Sequence, residues 1–114
     1  MKKKHNLPTF MLAHNPMVES GMHLVHTREP LFIAKIVHFR DQVDALDYES
    51  GLRLMGRTIY KDEYYILDIQ LLIRTTAPPD EAQKDADNLA KLFRRAADWL
   101  HAALKNMEVK DGTI

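Results

Sequence analysis

Two periods run along this chain. Between residues 22 and 75, apolar and polar side chains alternate in short runs broken by turn residues, the period of two that belongs to strands; from residue 82 onward they recur at steps of three and four, the period of a helix. The runs 22–27 and 31–40 are rich in β-branched and aromatic residues and are parted by Arg28-Glu29-Pro30. Proline has no N–H to give to a ladder, so Pro30 belongs in a turn and the two runs read as a hairpin. In the second run Leu31, Ile33, Val37 and Phe39 interleave with Phe32, Ala34 and Ile36. A strand apolar at both parities is covered on both faces, which places this one centrally in its sheet.

A second hairpin is predicted from 52–60 and 64–75 around the polar Lys61-Asp62-Glu63. A connection made of residues 61–64 sets Tyr60 opposite Tyr65, Thr58 opposite Leu67, Leu54 opposite Leu71 and Leu52 opposite Ile73, collecting one apolar face. The other face then pairs Ile59 with Ile66 and Arg57 with Asp68. A connection one residue shorter drives Arg57 against Leu67, because a one-residue slip swaps the faces of a strand. Between the hairpins, residues 41–51 carry Asp41, Asp44, Asp47 and Glu49 and end at Gly51, a surface connection with room for one or two helical turns. Upstream, 7–13 reads as a short strand followed by an Asn15-Pro16 turn.

Pro78-Pro79-Asp80 ends the last strand, and Asp80 with Gln83 suits a capping box for the helix that follows. Ala82, Ala86, Leu89, Phe93, Ala97, Leu100, Leu104 and Met107 form its main stripe, while Leu92, Trp99 and Ala103 add a second apolar edge. A stripe this wide needs more cover than one flat sheet face provides, unless the sheet curls around it. The helix over 80–107 would measure about 42 Å at 1.5 Å per residue. A compact chain of this size has a diameter of roughly 35 Å. The second edge is therefore a candidate interface for self-association.

Composition narrows the chemistry. The chain of 114 residues has no cysteine, and its 16 basic and 16 acidic residues cancel. Disulfides, thiolate nucleophiles and cysteine-bound metals are excluded, and a neutral chain has little long-range attraction for nucleic acid or anionic lipid. No apolar run approaches the ~20 residues that span a bilayer, and the lysine-rich start is followed by too short and interrupted an apolar stretch for an export signal. A cytoplasmic location is expected.

Six histidines raise the question of a metal. His23 and His26 are three apart on a strand and so point to opposite faces; His101 stands alone on the helix, and no ligand spacing occurs. Neither a metal nor a cofactor is expected. The serines, Ser20 and Ser50, lie outside any nucleophile elbow, and the four glycines form no phosphate loop. The polar residues that interrupt good strands are the remaining candidates for ligand binding: Asp68 as an anchor for a cation, Arg57 as an anion clamp, with Gln70 and His38 beside them. The plainer alternative for Asp68 and Arg57 is a cross-strand ion pair on the wetter face of the sheet. The segments around Ser20-Gly21 and Ser50-Gly51 resemble each other and each leads into a hairpin, a similarity too short to establish a repeat.

These readings predict one α+β domain over residues 1–114, with 1–6 a flexible start and 108–114 a frayed end. It is a four- to five-stranded antiparallel sheet, two hairpins in meander-like order, with one long C-terminal amphipathic helix on one face. The expected role is a small intracellular binding or assembly module, working as a homo-oligomer, in preference to an enzyme. It would act through its helix and sheet surface, with itself or another protein as partner, through Leu92, Trp99 and Ala103. The competing expectation is a small-ligand-binding domain or cofactor-free enzyme with its pocket between sheet and helix.

Overall fold

In the computed structural model the described residues are 8–14, 21–73 and 82–112, with side chains described over 83–107 in the last segment. The Asp80 cap and residues 1–6 lie outside them. The strands are β1 (Phe10–His14), β2 (Met22–His26), β3 (Leu31–Phe39), β4 (Met55–Tyr60) and β5 (Glu63–Ile73); the helices are α1 (Gln42–Glu49) and α2 (Ala82–Gly112). The strands make one antiparallel sheet in the order β1-β2-β3-β5-β4, and the apolar-on-both-faces strand β3 is its centre. The order departs from a plain meander at one place. β3 pairs with β5, so β3 and β4 run in the same direction with β5 between them. Strands running in the same direction need a crossover, and the acidic segment supplies it as α1. Asp41 caps α1, its carboxylate accepting the Val43 N–H at 2.8 Å.

Alternation gives the sheet two unlike faces. On one, Phe10, Leu24, Phe32, Ala34 and Leu67 are buried beneath Leu89, Leu92, Phe93, Ala96, Ala97 and Leu100 of α2, with Phe32 edge-on to Phe93 at 5.3 Å. Of the second apolar edge, Leu92 is thus core and Trp99 packs half-buried against it. Five strands reach around α2, and Phe10 of β1 meets Trp99 with ring centroids 5.7 Å apart. Each large side chain so buried contributes about 1.5–3 kcal/mol. At the opposite sheet edge α2 comes close to β4: a Cβ on Gly56 would lie 2.8 Å from the Phe93 carbonyl oxygen. Further along, His101 Nδ1 donates to the Ile59 carbonyl at 3.1 Å, pinning the helix to the edge strand. α2 continues past Met107, where its apolar pattern ends, to Gly112.

Two register details differ from expectation. The β4–β5 turn is Lys61-Asp62 alone, with Tyr60 opposite Glu63. Both turn residues have positive φ, 53° and 65°, the backbone of the two-residue hairpin turn whose twist matches the strands. Arg57 therefore faces Ile66, two positions from where the longer turn would set it. A two-residue shift preserves the faces, so apolar patterning cannot distinguish the two turns. The second difference is a bulge. Ile33 pairs with Leu71 but Ala34 with Ile69, leaving Gln70 without a partner on β3. The extra residue reverses the parity of the strand beyond it. Leu72, opposite Phe32, joins the α2-side core, while Leu71 and Ile73 turn to the other face and are 44% and 56% exposed.

Candidate functional site

The face of the sheet away from α2 divides into two halves. α1 packs on β3 and β5 over one half. Ala45 and Ile66 are fully buried there, outside the α2-side cluster, and the Phe39 and Tyr48 rings lie 5.4 Å apart. The middle of the face is a polar row in which His23 pairs with Lys35, Lys35 with Asp68 and Asp68 with Met55. The Tyr48 hydroxyl donates to Asp68 Oδ2 at 2.8 Å. Burial, then that hydrogen bond and the Asp68 charge, push the Tyr48 phenol above its ordinary value.

Beyond the polar row the face is apolar and open. Met11, Val25, Ile33 and Leu71 stand side by side across β1, β2, β3 and β5, and Leu31 with Ile73 forms the next row. Among the described residues neither helix packs over them; Leu71 and Ile73 are exposed and the other four are half-buried. They span about 14 Å of sheet at ~4.8 Å per strand. On the same side of the molecule α1 exposes Val43 and Leu46.

The sequence-selected residues are distributed among different places. Asp68 and Arg57 share the face away from α2 but make separate contacts, Asp68 with Tyr48 and Arg57 with Glu49 at 3.0 Å. Gln70 is the exposed bulge residue. His38 pairs with Tyr65, and so lies on the α2 side. Its ring stacks on Tyr65 at 4.4 Å, and its Nε2 is 2.6 Å from Glu63 Oε1. Tyr65 is itself raised in pKa, by burial first and then by the Glu63 charge. His38 and Asp68 therefore lie on opposite faces of the sheet. On α2, Leu92 is a core residue at 6% exposure, whereas Trp99 and Ala103 are half-buried. Leu92 is part of the core beneath the helix, and Phe10 of β1 meets Trp99 further along it.

Among the described residues, concavities lie on either side of α2. A groove of about 670 Å³ lies between its C-terminal half and the sheet, lined by Leu12, Met22, Ile36, Leu100, Leu104 and Met107, with His14 and His38 also among its lining residues. A cleft of about 660 Å³ lies between the β2–β3 connection and the first half of α2, lined by His26, Arg28, Lys91 and Arg95 among others. His23 and His26 do point to opposite faces, His23 bonded to the Gly21 carbonyl and His26 buried on the α2 side. Among the described residues no helix is long and apolar enough to cross a membrane, and no three His, Cys, Asp or Glu side chains are grouped to hold a metal ion.

Sequence reasoning missed the open apolar half-face and the His26 cleft. Ile33, Val25 and Met11 were legible as strand residues, but Leu71 reads as a core partner of Leu54 unless the bulge is known. Comparison with protein-family models, curated proteins and solved structures gives no match to this chain.

Proposed function

We propose that this chain is an assembly module that pairs with a second copy of itself through the open half of its sheet. The observation that carries the reading is the row Met11, Val25, Ile33 and Leu71, with Leu31 and Ile73 behind it, on the face away from α2: Leu71 and Ile73 are exposed, the other four are half-buried, and neither described helix packs over them. Soluble monomers seldom leave a contiguous apolar patch of several strands open. A second copy fits its chemistry. The chain carries 16 charges of each sign, and the rim of the patch holds Lys35 beside Asp68. A two-fold axis through the apolar centre can bring Lys35 of one copy toward Asp68 of the other, the self-complementarity that an isologous contact requires. An apolar centre with a polar rim is also the common anatomy of such interfaces.

The absence of native cysteine makes the test direct. A Leu71→Cys variant is expected to form a disulfide-linked dimer under mild oxidation, since a residue near a two-fold axis meets its own copy. A Lys105→Cys control on the exposed side of α2 is expected to stay monomeric in the same conditions. Equal cross-linking of both would contradict the reading.

A second reading is supported by the groove beside Leu100 and Leu104. Its volume and largely apolar lining are those of small-ligand sites. Under this reading His38 belongs to the site, while Asp68 and Arg57 do not. Saturable binding of an apolar fluorophore that Leu104→Trp abolishes would favour it.

A further inference from the structure

His26 is only 3% exposed. Phe10 on β1 and Phe32 on β3 flank its ring from the two neighbouring strands, with centroids at 5.0 and 5.3 Å. Its Nδ1 lies 2.7 Å from the Pro30 carbonyl oxygen. A carbonyl can only accept, so Nδ1 carries the proton and Nε2 of the neutral ring holds a lone pair. Among the described residues no buried side-chain nitrogen or oxygen lacks a hydrogen-bond partner. Among the described residues Nε2 has no hydrogen-bond partner, and it reaches the cleft that His26 lines.

Across that cleft, Lys91 and Arg95 stand one helical turn apart on α2, spacing that sets two side chains on one side of a helix. Arg28 enters from the β2–β3 connection, its Nη1 bonded to Thr27 Oγ1 at 3.1 Å. Glu29 and Asp85 also line the space, so the three cationic side chains outnumber the carboxylates by one. The combination is specific. Cations ask for an anion, whereas a lone pair at Nε2 asks for a hydrogen-bond donor. Sulfate and carboxylates have only acceptors at neutral pH. A phosphate group has its second pKa near 6, and it can present accepting oxygens to Lys91 and Arg95 together with one proton shared with Nε2.

We propose that this cleft is a binding site for the phosphate group of a small phosphorylated molecule, with Lys91 and Arg95 holding the oxyanion and His26 Nε2 sharing its proton. The volume of about 660 Å³ leaves room for the organic part of such a molecule beyond the phosphate itself.

The test uses inorganic phosphate as the probe, titrated at pH 6.5 into the isotopically labelled full chain and followed by NMR. Saturable shifts are expected at His26 and at the α2 turn bearing Lys91 and Arg95. Charge-assisted hydrogen bonds contribute about 1.5–3 kcal/mol, so Arg95→Ala and Lys91→Ala should each weaken phosphate roughly tenfold or more. Both side chains are exposed, so these variants keep the fold. Lys105→Ala, at the far end of the helix, should leave the affinity unchanged. Sulfate should bind at least tenfold more weakly than phosphate. Absence of saturation into tens of millimolar phosphate would overturn the proposal, as would an Arg95→Ala affinity equal to wild type. Equal affinity for sulfate would overturn the part assigned to His26.

Discussion

Leu71 stands across from Ile33 on the side of the sheet away from α2, while Leu72, next in the chain, packs half-buried against the α2-side core. The single unpaired residue Gln70 makes this assignment. Leu72→Ala should therefore cost about 2–4 kcal/mol of unfolding free energy, as truncation of a packed leucine does. Leu71→Ser, measured at low protein concentration, should stay within about 0.5 kcal/mol of wild type. Denaturant melts of the two variants give the comparison; equal losses would mean that the strand runs on without a bulge.

Gly56 lies where α2 crosses β4, with no room for a Cβ beside the Phe93 carbonyl. The obstacle is backbone, which cannot rotate away as a side chain can. Gly56→Ala should destabilise by about 1–3 kcal/mol through overpacking, read as a lower midpoint in urea with an unchanged slope. A neutral result would show that the helix sits farther from the edge strand.

How much of this was readable beforehand follows from what each residue's pattern encodes. Leu31–Phe39 announces its central place because both its parities are apolar, and α2 announces itself by its stripe. The Lys61-Asp62 turn carries no Asn-Gly or Asp-Gly signal, so its length was open to a shift of two that leaves every face intact. The bulge at Gln70 is invisible because Leu71, Leu72 and Ile73 are all apolar: either parity would place a good core residue inward. The second helix edge was legible as apolar, but the cover over Trp99 comes from Phe10 of β1, a strand only weakly marked in the sequence. His26 was legible as a strand histidine; its enclosure between Phe10 and Phe32 depends on cross-strand pairing across three strands.

Leu92 distinguishes a helix edge used for assembly from one used for packing. Its burial with Phe93 and Ala96 predicts that Leu92→Ala costs about 2–5 kcal/mol, the same at every protein concentration. A loss that grew with protein concentration would return Leu92 to an interface.

Tyr48 gives a test in alkaline solution. Burial, the Asp68 hydrogen bond and the Asp68 charge all raise its pKa above the ordinary 10.0. A folded-state pKa raised in this way means that the folded protein holds the proton more tightly. The stability this contributes is complete below the unfolded value and is lost as pH rises through the folded one. Tyrosinate absorbance should show Tyr48 titrating late. Asp68→Asn should move it to lower pH while leaving the part due to burial, and Tyr48→Phe should reduce the alkaline loss of stability. No movement in Asp68→Asn would disconnect the two residues.

The central claim is that the open half of the sheet is where two copies meet. Sedimentation equilibrium of the wild-type chain across the micromolar range tests it most directly, run beside Leu71→Lys, a variant that charges the centre of the patch without touching the α2-side core. The account predicts a wild type at twice the mass of the chain and a folded Leu71→Lys at the mass of one. A wild type that stays monomeric at high micromolar concentration, or a Leu71→Lys protein that remains dimeric, would contradict it.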